Sequence, residues 1–135
     1  MKNLSSKIVS HLETQNHINP NICQINAISQ IETKLSTSLK KKIVEVFKKK
    51  FIGIYLHGSV GVGKSVILKT LNLLFKNSEI FHFSDLIFHI QKSETLKKEF
   101  NIKKKLILID EFYINNLTNM ILFKKFLSDS FKKKK

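Results

Sequence analysis

Leu4, Ile8 and Leu12 fall on one side of a helix turning 3.6 residues at a time, which predicts a first helix ending near Gln15 and Asn16. A second run places Ile28, Ile31, Leu35 and Leu39 at steps of three and four. Asn19 as cap and Pro20 at the first helical position mark its start. Lys40-Lys41-Lys42 and Lys48-Lys49-Lys50 bracket Ile43, Val44, Val46 and Phe47, a compact amphipathic piece. The period then changes. Ile52-Gly53-Ile54-Tyr55-Leu56-His57 is an apolar run of strand length, and Lys64 to Phe75 returns to helical spacing with Ile67, Leu71 and Leu74 as its core face. Asn77 and Ser78 mark a turn before a second strand from Glu79 to Phe83. Ser84 is placed to cap a helix carrying Leu86, Ile87, Phe88 and Ile90 into a polar, partly helical stretch from Gln91 to Lys105. Leu106-Ile107-Leu108-Ile109 has the unbroken apolar character of a strand buried in a parallel sheet. Asn115 to Phe131 reads as one more helix, with Leu117, Met120, Ile121, Phe123, Phe126 and Leu127. Strands alternating with helices predict an α/β chain with a parallel sheet flanked by helices.

The glycines sharpen this picture. There are four, Gly53, Gly58, Gly61 and Gly63, all in one short window. The last three belong to Gly58-Ser59-Val60-Gly61-Val62-Gly63-Lys64-Ser65, which fills the phosphate-loop pattern G-x-x-x-x-G-K-[ST] without substitution. In that pattern the backbone turns so that successive N–H groups line a concave anion nest, closed by the positive end of the following helix. Lys64 is expected to reach the β- and γ-phosphates, and the Ser65 hydroxyl to be a ligand of Mg²⁺. A strand running into the loop and a helix running out give it the required order.

The aliphatic run 106–109 ends in Asp110-Glu111. Ligands of open α/β sheets bind at the C-terminal edge of the strands. Asp110 is therefore expected in the Mg²⁺ shell, as the acid of a Walker B strand, with Glu111 orienting and deprotonating an attacking water. His82 and His89 lack a third ligand at useful spacing and read as packing or surface residues.

Composition bounds these readings. At 135 residues and 15.7 kDa the chain is one small domain at most, divided here into a helical segment, 1–50, and a partial ATPase core, 51–135. The net charge of +14 and pI near 9.9 suit a polyanionic partner, nucleic acid or an acidic membrane surface. A compositional cause competes, because every basic residue is Lys and Ile, Asn, Phe and Lys crowd the chain, as an A/T-rich coding sequence would favour. The absence of Arg argues against a dedicated sequence reader. Cys23 is the single cysteine, so no intrachain disulfide or zinc cluster is spelled out and the cytoplasm is the expected location. No apolar run approaches the roughly 20 residues of a membrane-spanning helix. The start of the chain lacks the apolar core of a secretory signal.

Taken together, these residues resemble the ZapE and Afg-one-like ATPases, a branch of the AAA+ class. Ile54-Tyr55-Leu56-His57 and the loop that follows are similar to the family's G-L-Y-L-Y-G-G-V-G-R-G-K-T. Phe81-His82-Phe83 resembles its H-F-H strand, and His89 falls where a Val-His pair follows. Asp110-Glu111-Phe112 with Met120-Ile121-Leu122 resembles D-E-F-x-V-x-D-x-x-D-A-M-I-L, and Pro20 and Gln24 resemble P-D-x-x-Q. The likeness spans about residues 17 to 127. It implies a P-loop ATPase core using ATP and Mg²⁺, a role in cell division, and partners among division-machinery or inner-membrane proteins. It also implies a cytoplasmic place, peripheral to the inner membrane. In the sheet order of ATPases with such an acid pair, 5-1-4-3-2, the sensor strand lies between the phosphate-loop strand and the Walker B strand, so without it strand one is expected to face an empty slot.

The chain departs from the family at Val62, where a basic residue stands, and at Asn116 and Asn119, which replace two acids. One residue is missing before Met120, and the stretch from His89 to Leu106 is shorter. The family would continue into a sensor strand, an arginine finger and a lid, so the resemblance implies an N-terminal part or split-gene half, truncated after the Walker B strand and its helix. A complementing C-terminal fragment would be a partner, and the Lys132–Lys135 tail would mark the break. Turnover by this chain alone is then expected to be negligible. Two other readings stand beside this one: a nucleotide-binding or basic interaction remnant without turnover, and a helicase-loader-like ATPase acting on single-stranded DNA.

Overall fold

The computed structural model describes residues 3–15, 17, 19–40, 53–98 and 100–132. They form an α/β chain of five helices and two parallel strands: α1 (Leu4–Gln15), α2 (Ile22–Lys40), α3 (Lys64–Leu74), β1 (Ser78–His82), α4 (Phe83–Thr95), β2 (Leu106–Asp110) and α5 (Leu117–Lys132). Two compact units divide it, Met1–Leu74 and Phe75–Lys135. The amphipathic piece expected at 43–47, its flanking lysines 41–42 and 48–50, the boundary expected between 50 and 51, and the tail 133–135 lie outside the described residues.

In the first unit α1 packs on both α2 and α3. The expected apolar stripes supply the buried residues: Ile8 and Leu12 from α1, Ile28 and Ile31 from α2, Ile67 and Leu71 from α3. Leu4, Leu35 and Leu74 are half-buried at the ends of these stripes. Glu32 joins two of the helices. Its carboxylate accepts the Leu4 N–H at 2.7 Å, the Ser5 N–H at 3.4 Å and the Ser5 hydroxyl, satisfying donors that the first turn of α1 cannot pair internally.

The start of α2 differs from expectation. Asn21, not Asn19, is the cap: Asn21 Oδ1 accepts the Gln24 N–H at 3.0 Å while Gln24 Oε1 accepts the Asn21 N–H at 2.8 Å. This reciprocal box satisfies two orphan donors at once, which Asn19 and Pro20 could not do without a glutamine three residues on.

The expected first strand, 52–57, is also corrected. Residues 53–57 have no regular secondary structure, and Ile54 and Tyr55 are exposed. Apolar character alone does not make a strand; a ladder partner is required, and the only ladder among the described residues joins β1 to β2.

That ladder organises the second unit. It is parallel, with Ser78 opposite Leu106, Ile80 opposite Leu108 and His82 opposite Asp110. The second and third expected strands are thus neighbours, joined through α4. Phe81, Ile107 and Ile109 pack against a core of Phe83, Leu86, Ile87, Ile90, Ile102 and Phe126. Since side chains alternate along a strand, Leu108 and Asp110 lie on the other face. β1 ends one residue earlier than its apolar run suggests, because Phe83 is taken into α4 and buried. Its ring meets Phe112 edge-on at 4.8 Å and Phe123 at 5.5 Å. Ser84 is therefore not the cap; His82 holds that position in extended conformation, with no capping bond from its side chain.

α4 ends at Thr95 without a glycine. Lys97, at φ 50°, donates its N–H to Glu94 O and Lys98 donates to Ser93 O, the paired bonds of a Schellman stop. α5 starts two residues later than expected, capped by Asn116, whose Oδ1 accepts the Asn119 N–H at 2.8 Å. Asn115 Oδ1 in turn accepts from the side-chain amides of Asn116 and Asn119, each at 3.0 Å.

Candidate functional site

The glycine-rich segment 58–65 forms a turn that ends as α3 begins. Gly63 O accepts the Ile67 N–H at 3.1 Å, so the helix opens at Lys64 and its positive end faces the loop. Gly61 and Gly63 sit at φ 83° and 85°, a region that side chains strongly disfavour. At Gly63 space is also decisive, for a Cβ there would meet Gln24 Nε2 at 2.7 Å. Lys64 curls over this turn, donating from Nζ to Gly58 O at 2.9 Å and Ser59 O at 2.7 Å. Gln24 Nε2 donates to Val62 O at 2.9 Å, tying the start of α2 to the same turn. Val60 projects fully into solvent at the tip, with Ser59 and Val62 exposed beside it. Ser65 lies in the first turn of α3, half-buried.

The second unit presents its polar residues at the C-terminal edge of the ladder. Asp110, 7% exposed, ends β2, and its Oδ1 accepts the Glu111 N–H at 3.0 Å. Glu111 has φ 52°, which costs an L-residue about 1–2 kcal/mol. Its carboxylate is exposed, and Oε2 lies 3.6 Å from Nδ1 of His82, the residue paired with Asp110 across the ladder. Phe112 anchors the corner from the far side, its ring 5.2 Å from Phe123 as well as against Phe83. Strain at Glu111 is thus maintained by the half-buried Phe112 ring immediately after it, which packs on the buried Phe83.

Each expected loop residue lies in the first unit, and Asp110 and Glu111 lie in the second. His82, expected to be a packing or surface histidine, ends a strand parallel to 106–110 and so stands beside the acid pair. Gln24 stood only in the family resemblance; its place three residues after Asn21 was the signal for the capping box. His89 is exposed and stacks flat against Phe100, their centroids 6.0 Å apart. Among the described residues no group of three or more His, Cys, Asp or Glu side chains is arranged to hold a metal ion, and no helix is long and apolar enough to cross a membrane.

Comparison with family models, curated proteins and solved structures finds no match to this chain.

Proposed function

We propose that residues 58–65 bind the phosphates of ATP and that the chain is a P-loop ATPase core of the ZapE and Afg-one-like kind. The conformation of the loop is the observation that carries this reading. Gly61 and Gly63 hold positive φ and α3 opens at Lys64, so the loop has the glycine turns and the helix N-terminus that an anion site of this kind uses. An anion with several oxygens, as in a triphosphate, suits that chemistry. Lys64 would exchange its bonds to Gly58 O and Ser59 O for charge-assisted bonds to phosphate oxygens. On this reading Ser65 and Asp110 would hold Mg²⁺, which would neutralise charge developing on the phosphates. Glu111 would accept the proton of the attacking water, its exposed carboxylate near His82. No Arg occurs in these 135 residues, so none of them can supply an arginine finger. Division-machinery or inner-membrane proteins are the partners that the family resemblance suggests.

Equilibrium titration with Mg²⁺-ATP tests the site. Lys64→Ala removes a charge-assisted bond worth about 1.5–3 kcal/mol, so affinity should fall about tenfold to more than a hundredfold. Equal affinity for wild type and variant would reject the site.

A further inference from the structure

We infer that Gln24 is a positioning residue for the phosphate loop, a role that rests on the reading of 58–65 as a phosphate site. Its side-chain amide is used at both ends. Oε1 accepts the Asn21 N–H at 2.8 Å, fixing the amide within the capping box, and Nε2 donates to Val62 O at 2.9 Å. The consequence for the loop follows from peptide geometry. The described residues contain no cis peptide, and a trans peptide sets its C=O and N–H in opposite directions. With Val62 O held toward Gln24, the Gly63 N–H is turned away from it, and the next residue, Lys64, opens α3. Gln24 thereby removes one rotation by which the loop would lose a donor for phosphate. The fit is close, because a Cβ on Gly63 would meet the same Nε2 at 2.7 Å.

Gln24→Glu separates positioning from capping. A glutamate at this place still accepts the Asn21 N–H, as glutamates of capping boxes do, but it has no donor for Val62 O. Helix content of the full chain should therefore match wild type, and Tm should fall less than in Gln24→Ala. At high ionic strength, where the added carboxylate is screened, affinity for ATP and for inorganic pyrophosphate should fall by the same factor, about threefold to tenfold, the worth of one ordinary hydrogen bond. Gln24→Ala, which loses both bonds, should lower Tm as well. Unchanged affinity in Gln24→Glu, with Lys64→Ala weakened, overturns the positioning role and leaves the phosphate site standing. A loss confined to ATP overturns it too, since that would place Gln24 against the base. So does a drop in Tm equal to that of Gln24→Ala, which would make the bond to Val62 O a support of the fold at large rather than of the loop. If wild type and Lys64→Ala bind alike, the phosphate reading itself fails.

Discussion

The carboxylate of Glu32, well inside α2, closes the N-terminus of α1 by accepting the Leu4 N–H at 2.7 Å. The bond from the Ser5 hydroxyl is the largest cause holding the Glu32 carboxyl below its usual range; the Leu4 and Ser5 amides add to it, and partial burial opposes. A carboxyl with a lowered folded pKa stabilises the fold above its unfolded pKa, near 4.5, and loses that contribution as pH falls through the lower, folded value. Glu32→Gln should therefore unfold at a lower temperature than wild type at neutral pH. The difference should shrink as both are taken below pH 4. Thermal melts followed by circular dichroism at two pH values decide it, and a gap that persists unchanged in acid would refute the cap.

Lys97 and Glu111 share an unfavourable backbone conformation, with φ 50° and 52°. Lys97 ends α4, away from the acid pair in sequence, so Lys97→Gly should stabilise the chain by about 1 kcal/mol without altering nucleotide binding. Denaturant melts measure this directly, and a destabilised variant would contradict the left-handed stop.

At Glu111 the same change should separate stability from chemistry. Glu111→Gly relieves the strain and removes the proposed base, so the melting midpoint should rise or hold while ATP turnover, with a partner supplying an arginine, disappears. Turnover by Glu111→Gly or Glu111→Gln equal to wild type would remove Glu111 from the mechanism.

Phe112 closes an aromatic triangle with Phe83 and Phe123. Phe112→Ala should cost about 3 kcal/mol, toward the lower end for a phenylalanine because the ring is only half-buried. Phe88, exposed on the same helix as Phe83, is the control: Phe88→Ala should shift the midpoint little.

How much of this was readable beforehand depended on the range of the interaction. α1 and the stripes of α2 and α3 follow from spacing, because burying a periodic face is a local pattern with one solution. β2 followed from four aliphatics in a row. The 53–57 segment looked equally strand-like, yet a strand exists only with a neighbour, and no residue within it reports who that neighbour is. Helix starts failed for a related reason. Asn19, Asn21 and Ser84 all have capping chemistry, and the choice fell to Asn21 through Gln24 and away from Ser84 through the burial of Phe83. Of the candidate site, the loop residues were legible as a motif. The approach of His82 to Glu111 required the register of the ladder, and the bond from Gln24 to Val62 joins residues far apart in sequence.

Three helices, α1, α2 and α5, are begun by two kinds of chemistry. α1 starts on an ionised carboxylate, whereas α2 and α5 start on the neutral amides of Asn21, Gln24 and Asn116. Dissolved ions screen a half-buried charge at a helix end in part and leave dipolar amide caps nearly untouched. Raising ionic strength should thus loosen the first turn of α1 while α2, and with it the Gln24 bond to the glycine-rich turn, holds its form. In amide hydrogen exchange the protection at Ser5–Ile8 should decline with added salt, and that at Ile25–Ile28 should stay level.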